Sequence, residues 1–186
     1  MNRVLVVGPS WVGDMVMAQS LFKVLKQDQQ SCSIVVLAPA WSEPILARMP
    51  EVDDSVIMPL GHGQLGLGQR WRLGRTLRSQ FDQAIVLPGS FKSALIPMFA
   101  GVKRRTGFIG EQRYGLLNDR RKLDKNVLPY NVQRFVALGQ ESGELPASLE
   151  QIPWPKLEIN VDHRERAQFK FGLDSRSQLI GLCPGA

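Results

Sequence analysis

The residues with the clearest chemical potential lie in a turn near the start of the chain, residues 8–15 (GPSWVGDM). Its two glycines have the spacing of a P-loop, but Asp14 and Met15 stand where a P-loop has Lys and Ser or Thr. A carboxylate at that point would repel phosphates, and the glycines do not have the dinucleotide-binding spacing either. The turn therefore argues against kinases, ATPases and NAD-dependent enzymes.

Asp14 lies between an apolar run and a segment with helical spacing, which predicts a position at the carboxyl edge of a sheet and the start of a helix. One interpretation is structural, since an acid in the first turn of a helix is favoured by the helix dipole. The other is catalytic: a carboxylate there can act as a general base that accepts the proton of a sugar hydroxyl. Position alone leaves both interpretations open.

Basic residues are concentrated in residues 61–125, with 13 Lys and Arg against four acids, or +9. The remainder has 10 basic and 13 acidic residues, or −3. This block indicates an anionic partner: nucleic acid, an anionic lipid surface or a phosphorylated small substrate. A solvated helix face is the alternative for the arginines of residues 70–78.

Composition places the chain among globular proteins, with 186 residues, 44% hydrophobic and 22% charged. No apolar run approaches the roughly 18 residues of a membrane span, and the apolar start is too short for a signal peptide. Cys32 and Cys183 lie far apart, which favours reduced, buried thiols in a cytoplasmic protein.

Alternating apolar runs and helical patterns predict an α/β fold: an open, mainly parallel, Rossmann-like sheet with helices on both faces. The predicted strands are residues 4–7, 33–38, 55–58 and 83–87, with a short one at 105–108 in an irregular stretch, 102–125. The predicted helices are residues 14–26, 41–49, 65–79, 90–100 and 130–142.

A change of composition follows, with three prolines in residues 144–155, then a polar helix at 162–171 and an apolar run at 178–183. We expect an N-terminal domain over 1–145, a linker and connecting helix over 146–177, and the first strand of a second domain over 178–186.

Five blocks in order carry a resemblance to the lipopolysaccharide heptosyltransferases: residues 8–15, 58–63, 90–95, 105–108 and 113–119. The resemblance implies a GT-B fold, in which the N-terminal domain receives the acceptor and the C-terminal domain binds ADP-heptose. It implies inverting transfer of L-glycero-D-manno-heptose to an inner-core heptose of lipopolysaccharide, with Asp14 as the base and without a metal or other cofactor. Gly89 departs from the family pattern, which has Asn there.

Within that resemblance, Ser10 and Gly13 shape the first loop, and Trp11 either packs beneath a sugar or anchors the loop. Basic side chains are expected to meet phosphates and acidic sugars of the acceptor, because Arg suits bidentate recognition of phosphate. The expected acceptor-binding residues are Ser10, Trp11, Gly13, His62, Ser90, Lys92, Arg105, Arg113 and Arg120. The expected donor contacts within this chain are Pro184, Gly185 and Ala186.

Because the main ADP site is expected in a further domain, we expect residues 1–186 alone to be inactive. Two alternatives remain: a related glycosyltransferase with another nucleotide-sugar donor, or a basic α/β module that binds nucleic acid. The sequence has no recognised nucleic-acid motif, so no nucleic-acid partner is expected. We expect a cytoplasmic protein, peripheral at the inner membrane, whose basic block contacts anionic headgroups.

Overall fold

A computed structural model of the chain describes residues 2–28, 32–61, 63–142, 144, 148–174 and 180–182. The strands are β1 (Arg3–Val7), β2 (Ser33–Pro39), β3 (Asp54–Met58), β4 (Gln83–Val86), β5 (Arg104–Phe108) and β6 (Asp119–Arg121). The α-helices are α1 (Val12–Asp28), α2 (Glu43–Leu46), α3 (Leu67–Thr76), α4 (Leu95–Phe99), α5 (Asn131–Ala137) and α6 (Val161–Phe171). Two 3₁₀ turns cover Ala40–Ser42 and Phe91–Ala94.

The six strands form one sheet in the order β3-β2-β1-β4-β5-β6, and every neighbouring pair is parallel. This confirms the predicted fold class. The chain builds outward from β1 to β3 and then returns to place β4 on the other side of β1. The loops after β1 and β4 therefore leave the sheet toward opposite faces, which opens a crevice at the carboxyl ends of the strands.

Strand β1 explains why its sequence is continuously apolar: both of its faces are covered. Val4 and Val6 belong to a core shared with α1 and α5, whereas Leu5 and Val7 belong to a core shared with α4. Successive side chains of a strand point to opposite faces. Helices therefore cover both faces of the sheet, as the alternating pattern predicts.

Several predicted helices are shorter or divided in the structure. The one at 65–79 is α3, and the one at 41–49 is a 3₁₀ turn followed by α2. The predicted helix at 90–100 is a 3₁₀ turn followed by α4, where Pro97 is the third residue. A proline in the first helical turn removes no intrahelical hydrogen bond, so it does not break α4. The predicted helix at 130–142 is α5, which ends at Ala137.

Strand β6 was not predicted, because its residues Asp119, Arg120 and Arg121 are all charged. It lies at the edge of the sheet, where charged side chains are accommodated. Arg104 on β5 and Arg121 both form ion pairs with Asp119, at 3.0 and 2.8 Å. These pairs offset the like charges of the strand.

The predicted C-terminal strand lies partly outside the described residues. Residues 180–182 have no regular secondary structure, and Ile180 and Leu182 are 83% and 87% exposed, so this part is not a buried strand here. The predicted connecting helix is present as α6, which contains no buried residue. The domain boundaries stay a prediction.

Two further predictions concern cysteines and membrane spans. Cys32 is a free, buried thiol whose pKa is raised by burial, while Cys183 lies outside the described residues. No helix in the described ranges is long and apolar enough to cross a membrane.

Candidate functional site

A cleft of about 940 Å³ lies at the carboxyl edge of the sheet, bounded by the loops that follow β1 to β5 and by the start of α5. The loop after β1 contributes residues 8–11, the loop after β4 residues 87–93, and the loop after β5 residues 109, 111 and 113. Ligands of open α/β sheets bind at this edge, so the cleft is the candidate site.

Asp14 lines this cleft as the third residue of α1. Its Oδ1 accepts a hydrogen bond of 3.1 Å from Nδ2 of Asn131, the first residue of α5. The unpaired N–H groups and the dipole of a helix start make its first turn a favourable position for an acidic residue. Asp14 is therefore an acid in the first turn of a helix, and it lies at the wall of the cleft.

Five other predicted site residues line the cleft: Ser10, Trp11, Ser90, Lys92 and Arg113. Trp11 is 68% exposed, so its indole is a surface of the cleft and not a core residue. Ser93 donates from its N–H and its Oγ to the carbonyl of Ser90, at 3.2 and 2.6 Å, which fixes the turn that carries Lys92.

Gly13 does not line the cleft. It is the second residue of α1, and a Cβ at this position would meet nothing within 4 Å. The structure therefore gives no steric reason for the predicted role of this glycine in shaping the loop.

Arg113 lines the cleft, yet it is only 2% exposed and faces backbone carbonyls. Its guanidinium donates to the carbonyl of Pro88 at 2.7 Å, to the carbonyl of Phe108, and to Ser93 Oγ at 3.4 Å. Burial lowers its pKa, against a smaller opposite effect of Glu111. The predicted phosphate ligand is instead a buried clamp between the loops after β4 and β5.

Arg105 and Arg120 were predicted in the binding site, and the structure places both outside the cleft. Arg105 is the second residue of β5, away from its carboxyl end, and donates to the carbonyls of Leu116 (2.7 Å) and Val102 (2.5 Å). Arg120 lies exposed on β6, with its guanidinium carbon 6.0 Å from the ring centre of Tyr114. His62 and residues 184–186 lie outside the described residues.

Arg70 is one of the arginines for which a solvated helix face was an alternative, yet it lines the cleft and is only 4% exposed. Its guanidinium donates to the carbonyls of Gln64 (3.3 Å), Leu65 (2.6 Å) and Lys92 (3.1 Å). It thereby joins the loop after β3 to the loop after β4. Helical spacing contained the signal, because Arg70 lies seven residues before buried Leu77 and so shares its face.

The lining residues that were not predicted also include Glu111, Asn131 and Arg134. Glu111 accepts a 2.7 Å hydrogen bond from the N–H of Phe91, at the start of a 3₁₀ turn. Arg134 of α5 donates to the side-chain oxygen of Asn131 at 2.8 Å. The contact of Glu111 joins segments 20 residues apart in the chain, so no local pattern announced it. The contact between Arg134 and Asn131 lies within α5.

The charged side chains among the described lining residues are mostly basic: four cations against two carboxylates, or +2. They are Arg70, Lys92, Arg113 and Arg134, with Asp14 and Glu111. No group of three or more His, Cys, Asp and Glu in the described ranges is arranged to hold a metal ion. The cleft is thus suited to an anionic ligand and holds one carboxylate close to a helix start.

A family model described as glycosyltransferase family 9 (heptosyltransferase) matches residues 70–186. The chain belongs to this family. The lipopolysaccharide heptosyltransferase 2 of Salmonella typhimurium is 50% identical over an alignment of 188 residues, which covers 99% of this chain and 54% of the relative. That of Escherichia coli is 48% identical over 189 residues, with the same coverage of both chains.

Solved structures are also similar to this chain. The structure of E. coli ADP-heptose lps heptosyltransferase II matches all of this chain and 55% of its own, with a TM-score of 0.87 and 45% identity. A glycosyl transferase family 9 protein from Veillonella parvula matches 92% of this chain and 49% of its own, with a TM-score of 0.74. At 13% identity the latter shows the fold alone. The chain spans about half the length of these relatives.

Proposed function

We propose that the protein containing this chain transfers L-glycero-D-manno-heptose from ADP-heptose to the inner-core heptose of lipopolysaccharide, with inversion. Family membership and the names of the similar proteins support this proposal. The observation in this chain that carries it is a carboxylate, Asp14, at the carboxyl edge of the sheet and at the wall of the cleft.

In the proposed reaction an acceptor hydroxyl attacks the anomeric carbon of the donor heptose. The new glycosidic C–O bond forms as the bond between that carbon and the phosphate oxygen breaks, and ADP leaves with the electron pair. Asp14 takes the hydroxyl proton, as a general base within hydrogen-bond reach would. Attack from the side opposite ADP gives the inverted product.

The acceptor is proposed to bind over Ser10, Trp11, Ser90 and Lys92, all of which line the cleft. The exposed indole of Trp11 offers a flat apolar surface to a sugar ring. The ammonium of Lys92 suits a phosphate or an acidic sugar of the inner core. Arg70 and Arg113 hold the surrounding loops, since their guanidinium groups are bound to backbone carbonyls.

Donor contacts are proposed outside the described residues, at residues 184–186 and in the part of the relatives that this chain does not span. Another nucleotide sugar remains an alternative donor. Competition assays separate the two: with equal concentrations of ADP-heptose and ADP-glucose, the proposal expects product from the heptose donor alone.

We further propose contact with the cytoplasmic surface of the inner membrane through the exposed face of α3. Leu67 and Trp71 are 50% and 52% exposed there, and the guanidinium of Arg75 lies 5.7 Å from the ring centre of Trp71. Residues 55–81 contain four arginines and no acid.

An arginine near an anionic surface contributes about 1 kcal/mol to membrane binding, so Arg75→Gln is expected to weaken binding to phosphatidylglycerol vesicles about fivefold. If the protein bound generic DNA as strongly as it binds these vesicles, the nucleic-acid alternative would be favoured instead.

Replacement of Asp14 tests the function directly. In the full-length protein we expect Asp14→Asn to lower kcat for heptose transfer by about 10²- to 10⁴-fold, the usual contribution of a general base. Asp28→Asn is the matched control, because it makes the same change at the exposed far end of the same helix. Near-normal turnover by Asp14→Asn would refute the assignment.

A further inference from the structure

Asp14 is the last member of a chain of side-chain hydrogen bonds that begins on α5. Arg134 donates from a terminal guanidinium nitrogen to Oδ1 of Asn131 at 2.8 Å, and Asn131 donates from Nδ2 to Oδ1 of Asp14 at 3.1 Å. The two helices come from opposite ends of the domain, and the Asp14–Asn131 contact spans 117 residues. Such a link orients a side chain that its own helix leaves free.

The orientation of the Asn131 amide is fixed by chemistry. A guanidinium only donates hydrogen bonds, and a carboxylate only accepts them. The amide oxygen must therefore face Arg134 and the amide nitrogen must face Asp14, because a flipped amide would place like partners together at both contacts. Asn131 thus always presents a donor to the carboxylate.

Arg134 is itself held in place. Its Nε donates to the carbonyl of Leu128 at 2.8 Å, and its other terminal nitrogen donates to the carbonyl of Pro129 at 2.7 Å. These bonds close the segment that leads into α5. One guanidinium therefore fixes both the entry to the helix and the amide of its first residue.

The helices that carry these groups are packed together. Phe135 and Leu138 share one hydrophobic core with Met15, Leu21 and other residues of α1. The backbone positions of Asp14 and Asn131 are therefore set by buried contacts. Only the rotation of the carboxylate remains to be fixed, and the bond from Asn131 fixes it.

We propose that Asn131 is the positioning residue for the base and that Arg134 holds Asn131 in the required orientation. The bond engages Oδ1 of Asp14, while no described residue donates to its Oδ2, which is the oxygen left to accept the acceptor proton. A hydrogen bond to one carboxylate oxygen aims the other along a defined direction, and general-base catalysis depends on that geometry. This inference rests on the proposed role of Asp14.

The test is a double-mutant cycle in the full-length protein, with heptose transfer as the assay. We expect Asn131→Ala to lower kcat about tenfold and to change the KM for acceptor less than twofold, since Asn131 acts on the base. In the Asp14→Asn background the same change should have no further effect on kcat, because no base is left to orient. Arg134→Gln should lower kcat in the same direction.

Gln133→Ala is the matched control for a purely structural effect. Gln133 Oε1 accepts from the N–H of Tyr130, so this change also loosens the start of α5, but it does not touch Asp14. It should leave kcat unchanged, and thermal melts should show all variants folded.

The outcomes separate the two proposals. If Asp14→Asn keeps near-normal turnover, the proposed function of the carboxylate fails. Suppose instead that Asp14→Asn loses most of its turnover. If Asn131→Ala then has normal kcat, or lowers kcat by the same factor in the wild type and in Asp14→Asn, only the positioning role is overturned. If Asn131→Ala does not fold, the folded Arg134→Gln variant decides by the same criteria.

Discussion

The buried guanidinium of Arg113 is expected to stabilise the fold, and Arg113→Met tests this. Methionine keeps much of the volume and flexibility of the arginine stem but cannot donate hydrogen bonds. The carbonyls of Pro88 and Phe108 would lose their donor at a site where the arginine is only 2% exposed, so water cannot readily replace it.

The size of the effect follows from these contacts. Hydrogen bonds from a charged group contribute about 1.5–3 kcal/mol each, so the two carbonyl bonds are worth roughly 3–6 kcal/mol. Part of this loss is offset, because Arg113→Met also removes the cost of burying a charge. No carboxylate is hydrogen-bonded to the guanidinium, and no described residue accepts a hydrogen bond from its Nε. We expect a net loss of about 2–4 kcal/mol in the free energy of unfolding.

Urea unfolding followed by circular dichroism measures this loss as a lower midpoint at constant slope. Arg120→Met is the matched control, because Arg120 is exposed on β6 and its guanidinium carbon lies 6.0 Å from the ring centre of Tyr114. It should cost less than about 1 kcal/mol. If Arg113→Met is no more destabilising than Arg120→Met, the clamp is refuted.

Two further predictions concern β6 and α3. Burial alone would raise the pKa of Asp119, but hydrogen bonds, chiefly from Arg121, lower this pKa below its ordinary value. The ionised, hydrogen-bonded carboxylate therefore stabilises the fold above the ordinary pKa of an aspartate, and this stabilisation is lost as the pH falls through the lowered pKa. Urea unfolding between about pH 5 and 2.5 should therefore show a shallower loss of stability for Asp119→Asn than for the wild type; parallel curves would contradict this. A Cβ on Gly74 would lie 2.5 Å from Cβ of Phe99, whereas one on Gly68 of the same helix meets nothing. Thermal melts should show Gly74→Ala destabilised, by about 1–3 kcal/mol, and Gly68→Ala unchanged or stabilised; equal melts would contradict the close α3–α4 contact.

The sheet could be predicted because its central strands are buried on both faces. Continuous apolar runs such as residues 4–7 and 84–87 have few other uses in a globular chain. Strand β6 shows the limit: an edge strand is exposed enough to consist of Asp and Arg, so neither apolar runs nor alternation identify it.

The location of Asp14 also followed from the sequence, since an acid just after the first strand must lie at the carboxyl edge. The direction in which each arginine side chain points could not be predicted from the sequence. Arg70 and Arg113 were assigned to solvent or to phosphate because of their charge, yet both are buried against carbonyls. An arginine side chain supplies five hydrogen-bond donors, but its presence in the sequence does not say which acceptors they meet. The acceptors here are carbonyl groups of other loops.

The inward arginines change how the basic block acts on a ligand. A hydrogen bond to a neutral carbonyl uses a donor but does not cancel the charge, so Arg70, Arg113 and Arg134 still contribute a positive field to the cleft. Two carboxylates among the described lining residues offset part of it, and one of them, Glu111, is engaged with a backbone N–H. Under the proposed function, this field would draw an anionic acceptor toward the cleft, and Lys92 would make the direct contact. Substitution of the buried arginines should therefore lower stability first, and substitution of Lys92 should weaken acceptor binding without unfolding the protein.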